Sequence, residues 1–309
     1  MRDAFVNTLL SLAKKDRNIE LVTGDLGFGV LKPFWEQCPD QFTNAGIAEQ
    51  NMMSMAAGMA LSGKTVFTYS IGNFPTLRCV EQIRNDCAYH NANVKIVCVG
   101  GGFAYGALGM SHHATEDIAI MRALPNVTVV CPGDLTEAIE ATKAIANYSG
   151  TVYLRLGRGG EKRVHDSIND FHIGQAIKIH EPTHKKAIAL FSTGTILDEA
   201  IRACEMLENK GIGVEQYSFP TVKPLDKDTI INCSYDHLAL VTLEEHNLAG
   251  GFGSAVSEAL VDAGRSAKLI RIGINDDYCS IVGNQIYLRE HYKIDAINVY
   301  DRIEKEMKF

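Results

Sequence analysis

One carboxylate in this sequence has an unusual setting for a residue that could do acid–base chemistry. The segment from Asn44 to Ala60 reads NAGIAEQNMMSMAAGMA, and Glu49 begins the helix predicted there. The turns that follow are mostly Ala, Met and Gly, a composition typical of a helix packed against another surface. An acidic residue in a first turn commonly complements the helix dipole. From this segment alone the dipole is the simpler interpretation, and a chemically active carboxylate is the alternative.

Two adjacent histidines, His112 and His113 in GMSHHATED, are the second candidates for chemistry. Adjacent side chains point to different sides of the chain, and no third ligand is spaced with them, so a metal site is not expected. An imidazole titrates near neutral pH. We therefore expect loop histidines that contact a substrate or the backbone.

The composition is that of a globular protein long enough for two domains. The 309 residues are 46% hydrophobic and 22% charged, and the net charge of -7 comes without a basic block, so nucleic acid is not an expected partner. The N-terminal MRDAFVNTLLSLAKKD is amphipathic without an uninterrupted apolar core, which predicts neither a signal peptide nor a membrane span. The expected location is cytoplasmic.

The eight cysteines lie far apart and form no CxxC pair, and several sit in apolar runs such as VKIVCVG. Neither a zinc motif nor a redox motif is indicated by this spacing. We predict buried thiols of a reducing compartment.

The elements that must position these residues follow an alternating pattern. Short runs rich in β-branched residues, such as IELVTGD, KTVFTYS and NVTVVCPGD, alternate with segments of helical spacing such as LTEAIEATKAI. This alternation predicts α/β architecture with parallel sheets covered by helices. The pattern dissolves after Arg158 and begins again near Lys186. We predict two parallel-sheet α/β domains, 1–160 and 186–309, joined by a linker at 161–185.

Four ordered motifs carry a resemblance to a known family. GIAEQNM, YSIGNFPTLRCVEQIRND, GMSHHATED and LEEHNLAGGFGSAV follow one another as in the second half of the transketolase family of thiamine-diphosphate enzymes. The resemblance covers essentially the whole chain and implies a pyrimidine-binding domain followed by the transketolase C-terminal domain. The family's diphosphate and magnesium motif, GDG followed downstream by Asn, does not occur in the sequence. The chain therefore resembles one subunit of a split transketolase.

The resemblance implies a catalytic role for Glu49. In the family the Glu of this motif hydrogen-bonds the pyrimidine ring of thiamine diphosphate and favours the tautomer that takes the proton from the cofactor's own thiazolium carbon. Such a carboxyl works with a shared proton, and an apolar setting suits it. Phe74 is the first choice for the aromatic residue that stacks on the pyrimidine, and Tyr69 is the second; either is alternatively a core aromatic. Asp25 corresponds to an acidic residue that supports the cofactor, although Asp before a Gly turn is also ordinary turn chemistry.

The resemblance also implies contacts with the substrate. Ser111 and His112 match the Thr and His of the family's THQ motif, in which the His handles protons on the substrate, while His113 replaces the Gln. Arg155 falls where relatives place an Arg on the substrate's phosphate, and Arg2 occupies the corresponding place of another. Either Arg is alternatively part of a surface or interface salt bridge.

Three positions depart from the family pattern. Gly29, Gly100 and Leu108 stand where sugar-phosphate transketolases carry a phosphate-binding Ser, a His and a hydroxyl-reading Asp. Losing these polar contacts weakens discrimination for a sugar phosphate. We expect a wider mouth that suits a bulkier acceptor, such as a nucleotide-linked or otherwise modified sugar. The alternative is an ordinary pentose-phosphate transketolase in which other residues replace the missing contacts.

The implied function is that of the pyrimidine-side subunit of a transketolase that moves a two-carbon ketol unit from a ketose to an aldose-type acceptor. Mg²⁺ and the ligands of the diphosphate are expected on a partner subunit of the N-terminal type, in a heterotetramer with this chain as a homodimer core. One alternative is the β subunit of a 2-oxo acid dehydrogenase E1 or a deoxyxylulose-phosphate-synthase-like enzyme. The other is a non-catalytic partner module.

Overall fold

The structure is a computed structural model that describes residues 1–308. Its strands are β1 Ile19–Thr23, β2 Phe42–Asn44, β3 Thr65–Ile71, β4 Val94–Val99, β5 Val127–Val130, β6 Thr151–Leu156, β7 Ile177–His180, β8 Lys186–Thr193, β9 Gly213–Ser218, β10 Thr221–Lys223, β11 Ala239–Asn247 and β12 Leu269–Ile274. Its helices are α1 Arg2–Ala13, α2 Phe28–Gln37, α3 Glu49–Leu61, α4 Asn73–Leu77, α5 Val80–Gln82, α6 Asp117–Ala123, α7 Leu135–Ala146, α8 Leu197–Glu208, α9 Lys227–Asp236, α10 Phe252–Asp262, α11 Gln285–His291 and α12 Ala296–Met307. None of the helices within this range is both long enough and apolar enough to cross a membrane.

The first sheet has the strand order β10-β5-β6-β4-β3-β1-β2 and is parallel except at β10. Its central strands are buried on both faces, as in β4, because helices cover both sides. On one face Phe5 of α1 and Phe34 of α2 pack against Phe67 of the sheet. On the other face Met52 of α3 belongs to a core that continues without a break to Phe252 of the second domain. The two domains therefore share a hydrophobic core.

The second sheet has the strand order β12-β11-β8-β9-β7 and is parallel except at β7. Helices α8 and α12 cover one face, where Ala200 and Val299 pack against Val241. Helices α9 and α10 lie against the other face, which belongs to the core shared with the first domain. The predicted α/β class with two largely parallel sheets is confirmed, and all eight cysteines are buried, as predicted.

Two short strands correct the predicted domain organisation. β7 lies inside the segment predicted as a linker and pairs antiparallel with β9, because its alternating IKIH sequence completes the edge of the second sheet. β10 comes from the second half of the chain but pairs antiparallel with β5 of the first sheet, with Thr221 opposite Val130. Both pairings join residues far apart in sequence. The sequence pattern of a strand does not show which edge of which sheet the strand will join.

Candidate functional site

The carboxyl ends of the strands of the first sheet gather most of the predicted site residues at one edge. Asp25 follows β1, Glu49 follows β2, Phe74 follows β3 and His112 follows β4. Because these strands are parallel, their carboxyl ends lie at the same edge, which is where α/β sheets bind ligands. The sheet topology thus brings together residues that are far apart in sequence.

Glu49 lies at the start of α3 and is buried, with 6% of its surface exposed. Arg78 donates from Nη1 to Glu49 Oε1 over 3.1 Å, and the guanidinium also lies 4.5 Å from the centroid of the Phe74 ring. The other side of Glu49 is closed by backbone, because a Cβ added at Gly24 would lie 3.6 Å from Glu49 Cγ. The carboxylate is therefore bonded to a half-exposed guanidinium, and that guanidinium also contacts the half-buried Phe74 ring.

A row of side chains continues from Phe74 along the edge. The rings of Phe74 and His112 meet edge-on with centroids 5.2 Å apart, and His112 lies 6.3 Å from the ring of Tyr105. Arg158, after β6, lies over Tyr105 at 5.0 Å. Ser111 Oγ is 3.0 Å from His112 Nδ1. We call the residues Glu49, Arg78, Phe74, His112, Tyr105 and Arg158 the edge row; it runs from a carboxylate to an exposed guanidinium.

Asp25 and the two adjacent histidines have distinct settings. Asp25 has a left-handed backbone (φ 57°), and Asn44 fixes it by donating from Nδ2 to its carboxylate and accepting from its backbone N–H, over 2.9 and 3.0 Å.

His112 belongs to the edge row, whereas His113 is buried against Phe103 with Nε2 3.3 Å from the Gly106 carbonyl. Burial lowers the pKa of His113. The side chains of His112 and His113 therefore point in opposite directions, as the sequence analysis predicted for adjacent residues.

Tyr69 does not reach the edge row, and we correct that prediction. It is 2% exposed and stacks on Phe5 of α1 with ring centroids 6.2 Å apart, and burial raises the pKa of its hydroxyl. Successive residues of a strand face opposite sides of the sheet, and Tyr69 faces the side covered by α1 and α2. It is a core aromatic.

Arg155 does not face a substrate site either, and this prediction is also corrected. Its Nε donates to Asp117 Oδ2 over 2.8 Å, and its Nη2 donates to the carbonyls of Ala114 and Glu245 over 2.7 and 3.1 Å. Burial opposes its charge, while the Asp117 carboxylate beside it raises the pKa of the guanidinium above its usual value. Arg155 therefore joins the first domain to β11 of the second. Arg2, on α1, is partly exposed and lies 3.4 Å from Asp3 Oδ1.

The LEEH motif supplies the other half of this buried junction, a role that the sequence alone did not reveal. Glu245 accepts from the Phe103 N–H over 2.5 Å and from Arg289 Nε over 2.6 Å. Glu244 accepts from the N–H groups of Phe252 and Gly253 at the start of α10 over 2.6 and 2.8 Å. The sequence did contain a signal for this role, because Glu244, Glu245 and His246 end an apolar strand. Buried charges need partners, so such a run indicates a buried polar network.

The junction holds two groups with shifted titration. Burial raises the pKa of Glu244 to about 7, although the two backbone donors oppose the shift. Burial lowers the pKa of His246 to about 4, against the opposing effect of Asp117. His246 Nδ1 donates to the Asn247 carbonyl over 2.7 Å, and Nε2 accepts from the Ala119 N–H over 3.3 Å, so the buried ring is a neutral tautomer with both nitrogens used. We call the residues Asp117, Arg155, Glu244, Glu245, His246 and Arg289 the junction network.

Three members of the edge row were missed in the sequence. Arg78 follows Phe74 by four residues, a spacing that places two side chains on one helical face, and this was the available signal. Tyr105 and Arg158 come from loops, where spacing carries no such information.

The three departures from the family pattern have different surroundings. A Cβ at Gly100 would lie 2.1 Å from Tyr105 Cδ2, so Tyr105 occupies the space that Gly100 was expected to open. Gly29 has open space around it, and Leu108 is exposed. The expected wider mouth is therefore not produced at Gly100.

The edge row fits the aminopyrimidine half of thiamine diphosphate. The buried Glu49 carboxylate offers a hydrogen-bonding group, and the half-buried Phe74 ring offers a stacking surface. Arg78 contacts both of them. Among the residues that the structure describes, two groups of side chains could hold a metal, Asp134–Glu137–His165 and Glu215–Cys233–His237. Neither group includes a member of the edge row.

Comparison with known proteins gives one consistent family. Residues 1–160 match the pyrimidine binding domain of transketolase, and residues 177–299 match the transketolase C-terminal domain. A putative transketolase C-terminal section from Methanocaldococcus jannaschii is 39% identical over 311 residues, covering 100% of this chain and 96% of the relative. An apulose-4-phosphate transketolase subunit from Phocaeicola vulgatus is 35% identical over 95% of this chain and 93% of its own.

A solved structure described as a split gene transketolase, inactive beta4 tetramer, has the same fold. It superposes with a TM-score of 0.89 at 33% identity, over 98% of this chain and 96% of that one. The similarity therefore extends over both sheets and the junction between them.

Proposed function

The chain belongs to the transketolase family, and from that membership we propose that it is the pyrimidine-side subunit of a thiamine-diphosphate-dependent enzyme that transfers a two-carbon ketol unit from a ketose to an aldose-type acceptor. The observation that carries the proposal is the contact between Glu49, Arg78 and Phe74 at the carboxyl edge of the first sheet. This arrangement is what a protein needs to hold an aromatic ring and a proton at one of its nitrogens.

The residues of this chain have separate tasks in the proposed reaction. When bound, thiamine diphosphate supplies the nucleophilic carbon. Glu49 holds a proton at the pyrimidine nitrogen, and Phe74 packs on the ring. Arg78, paired with Glu49, holds the carboxylate in a fixed orientation for this contact with the pyrimidine. His112, in contact with Phe74, is placed to move a proton on the substrate, with Ser111 setting its ring orientation.

A partner subunit completes the proposed enzyme. The sequence has no GDG motif, and its relatives include a transketolase C-terminal section and a transketolase subunit that are about as long as this chain, which supports a split enzyme. The partner would supply Mg²⁺ and the ligands of the diphosphate, while Asp25 would support the cofactor from this side. The proposed assembly is a heterotetramer in which two copies of this chain form the core.

Reconstitution tests this proposal. The purified chain alone should bind thiamine diphosphate weakly and show no ketol transfer, and addition of the GDG-bearing subunit with Mg²⁺ should restore both. Full activity of the isolated chain would contradict the split enzyme. Absence of cofactor binding in the reconstituted complex would instead support a non-catalytic module, and activity only with pyruvate as donor would support a synthase-like enzyme.

The acceptor is proposed to be a modified sugar with an anionic group. Arg158 at the end of the edge row is exposed and replaces Arg155 as the candidate cation, and Arg2 remains a second candidate. Gly29 leaves open space where a polar contact was expected. Competition among ribose 5-phosphate, branched sugar phosphates and nucleotide sugars tests this. Clear preference for ribose 5-phosphate would contradict the proposal and identify a simple pentose phosphate as the acceptor.

A further inference from the structure

A group of buried ligand-type side chains lies in the second domain, outside both the edge row and the junction network. Glu215 is on β9, Cys233 is on α9, and His237 ends that helix. One carboxylate oxygen, the thiol sulfur and one ring nitrogen all lie within 4.8 Å of one another. The side chains of Glu215 and His237 are 4% and 1% exposed.

The tautomer of His237 gives the cluster its chemical meaning. Nδ1 lies 2.9 Å from the Cys233 carbonyl, which accepts hydrogen bonds only, so Nδ1 carries a proton. In the neutral ring Nε2 then has a bare lone pair. Nε2 is 3.1 Å from Glu215 Oε2, also an acceptor, and the alignment of the two groups makes no hydrogen bond. A buried ring nitrogen that makes no hydrogen bond and lies 3.1 Å from a carboxylate oxygen is placed to bind a metal ion.

We propose that this cluster is a zinc site, in which Glu215 Oε2, Cys233 Sγ and His237 Nε2 are the protein ligands and water is the fourth. Thiolate, imidazole and carboxylate are the ligand set of Zn²⁺, and the presence of sulfur and nitrogen disfavours Mg²⁺ and Ca²⁺. Tetrahedral coordination places ligands roughly 3.5 Å apart, so shifts of about 1 Å close the cluster around the ion.

The surrounding contacts are those of a metal site's outer layer. A ligating His usually donates its other N–H to a carbonyl or carboxylate, as His237 does. The second oxygen of Glu215 accepts from the Tyr217 hydroxyl over 2.8 Å and lies 2.7 Å from Lys178 Nζ. These contacts orient the carboxylate so that Oε2 is the oxygen that faces His237.

The proposed site lies between two elements of the second domain. It ties α9 to β9, and the chain between them contains β10, the strand that crosses to the first sheet. The ion would therefore hold together β9 and α9, the two elements that flank β10.

Metal analysis of the purified chain, with any affinity tag removed, tests the proposal. After incubation with Zn²⁺ and gel filtration, elemental analysis should find about one zinc per chain. Cys233→Ser and His237→Gln should each lower retention at least tenfold in competition with a chromogenic chelator, as expected for a lost ligand. Cys38→Ser, which removes a buried thiol of the first domain, is the matched control and should retain zinc.

Anomalous diffraction at the zinc edge keeps the test decisive if the variants do not fold. The wild-type protein should show an anomalous peak between His237 and Glu215. A folded wild-type chain that retains no zinc, or a peak elsewhere with none at this cluster, would overturn the proposal and leave a protonated His237 paired with Glu215. Unchanged zinc retention in both variants would overturn it as well.

Discussion

The edge row and the junction network are both made of charged and aromatic residues from motifs that resemble the same family, yet the structure treats them differently. In the junction network Arg155 has three acceptors and Glu245 has several donors, and both are buried. In the edge row Arg78 donates to Glu49 from a guanidinium that is half exposed, and Phe74 is half-buried. A buried side chain that makes its hydrogen bonds within the protein holds the fold together, whereas a partly exposed one can also bind a ligand.

The largest expected effect comes from breaking the junction network. Arg155→Met leaves the buried Asp117 carboxylate without its cationic partner and should lower the free energy of unfolding by about 3–5 kcal/mol. Denaturant unfolding of the isolated chain measures this. Arg302→Met, which removes a surface pair with Glu306, is the control and should change it by less than about 1 kcal/mol. If Arg155→Met leaves stability unchanged but abolishes activity, Arg155 is a substrate ligand after all and the contrast fails.

In the edge row the largest effect should come from Glu49→Gln. The amide keeps the size of the side chain but cannot share the proton, so ketol transfer by the reconstituted enzyme should fall at least about 100-fold while the complex still assembles. Exchange of the cofactor's acidic C–H proton, followed by NMR, should slow in parallel. The control is Glu36→Gln, which affects an exposed carboxylate paired with Lys32. Near-normal exchange would return Glu49 to the role of a helix-dipole partner.

The junction network should also give stability a pH dependence. The pKa of His246 is about 4 in the folded chain and 6.5 as its ordinary value, so the unfolded chain binds a proton that the folded chain excludes between these values. Its contribution is complete above pH 6.5 and is lost as the pH falls toward 4. Glu244, with its pKa raised to about 7, contributes in the opposite sense between 4.5 and 7.

Comparison of the wild type with His246→Gln isolates the histidine. The difference in unfolding free energy should grow by on the order of 2 kcal/mol in favour of the wild type between low and neutral pH. His90→Gln, at an exposed position, is the matched control. A difference that stays constant with pH would show that His246 is not held neutral by burial.

The smallest effect sharpens the contrast between two aromatic residues. Phe74→Ala removes a stacking face worth roughly 0.5–1.5 kcal/mol, so the reconstituted enzyme should bind thiamine diphosphate about 2- to 12-fold more weakly. Tyr69→Phe keeps the core ring and should leave the affinity unchanged. Calorimetric titration with the cofactor measures both. Weaker binding by the Tyr69 variant would restore that residue to the site.

Local patterns were informative where the physical cause is local. The alternation of β-branched and helical segments predicted two largely parallel α/β sheets, and the Ala- and Met-rich turns after Glu49 predicted a packed helix, which is α3. The family motifs indicated the transketolase relationship, which the matches over both domains confirm. These features follow from side-chain periodicity and from residues close in sequence.

Tertiary structure alone decided which ionisable residues are available for chemistry. Arg155 and Arg158 stand three residues apart, but the first is buried by contacts from β11 and the second lies over Tyr105 at the surface. Tyr69 lies on β3 and faces the side covered by α1 and α2, whereas Phe74 lies in α4, after the strand has ended. The places of β7 and β10 were decided by which sheet edge was open to them. The sequence determined the elements and the family because those depend on local spacing. The partners of each charge depend on long-range contacts, and whether a polar group is saturated by the fold or left for a ligand is set only when distant strands meet.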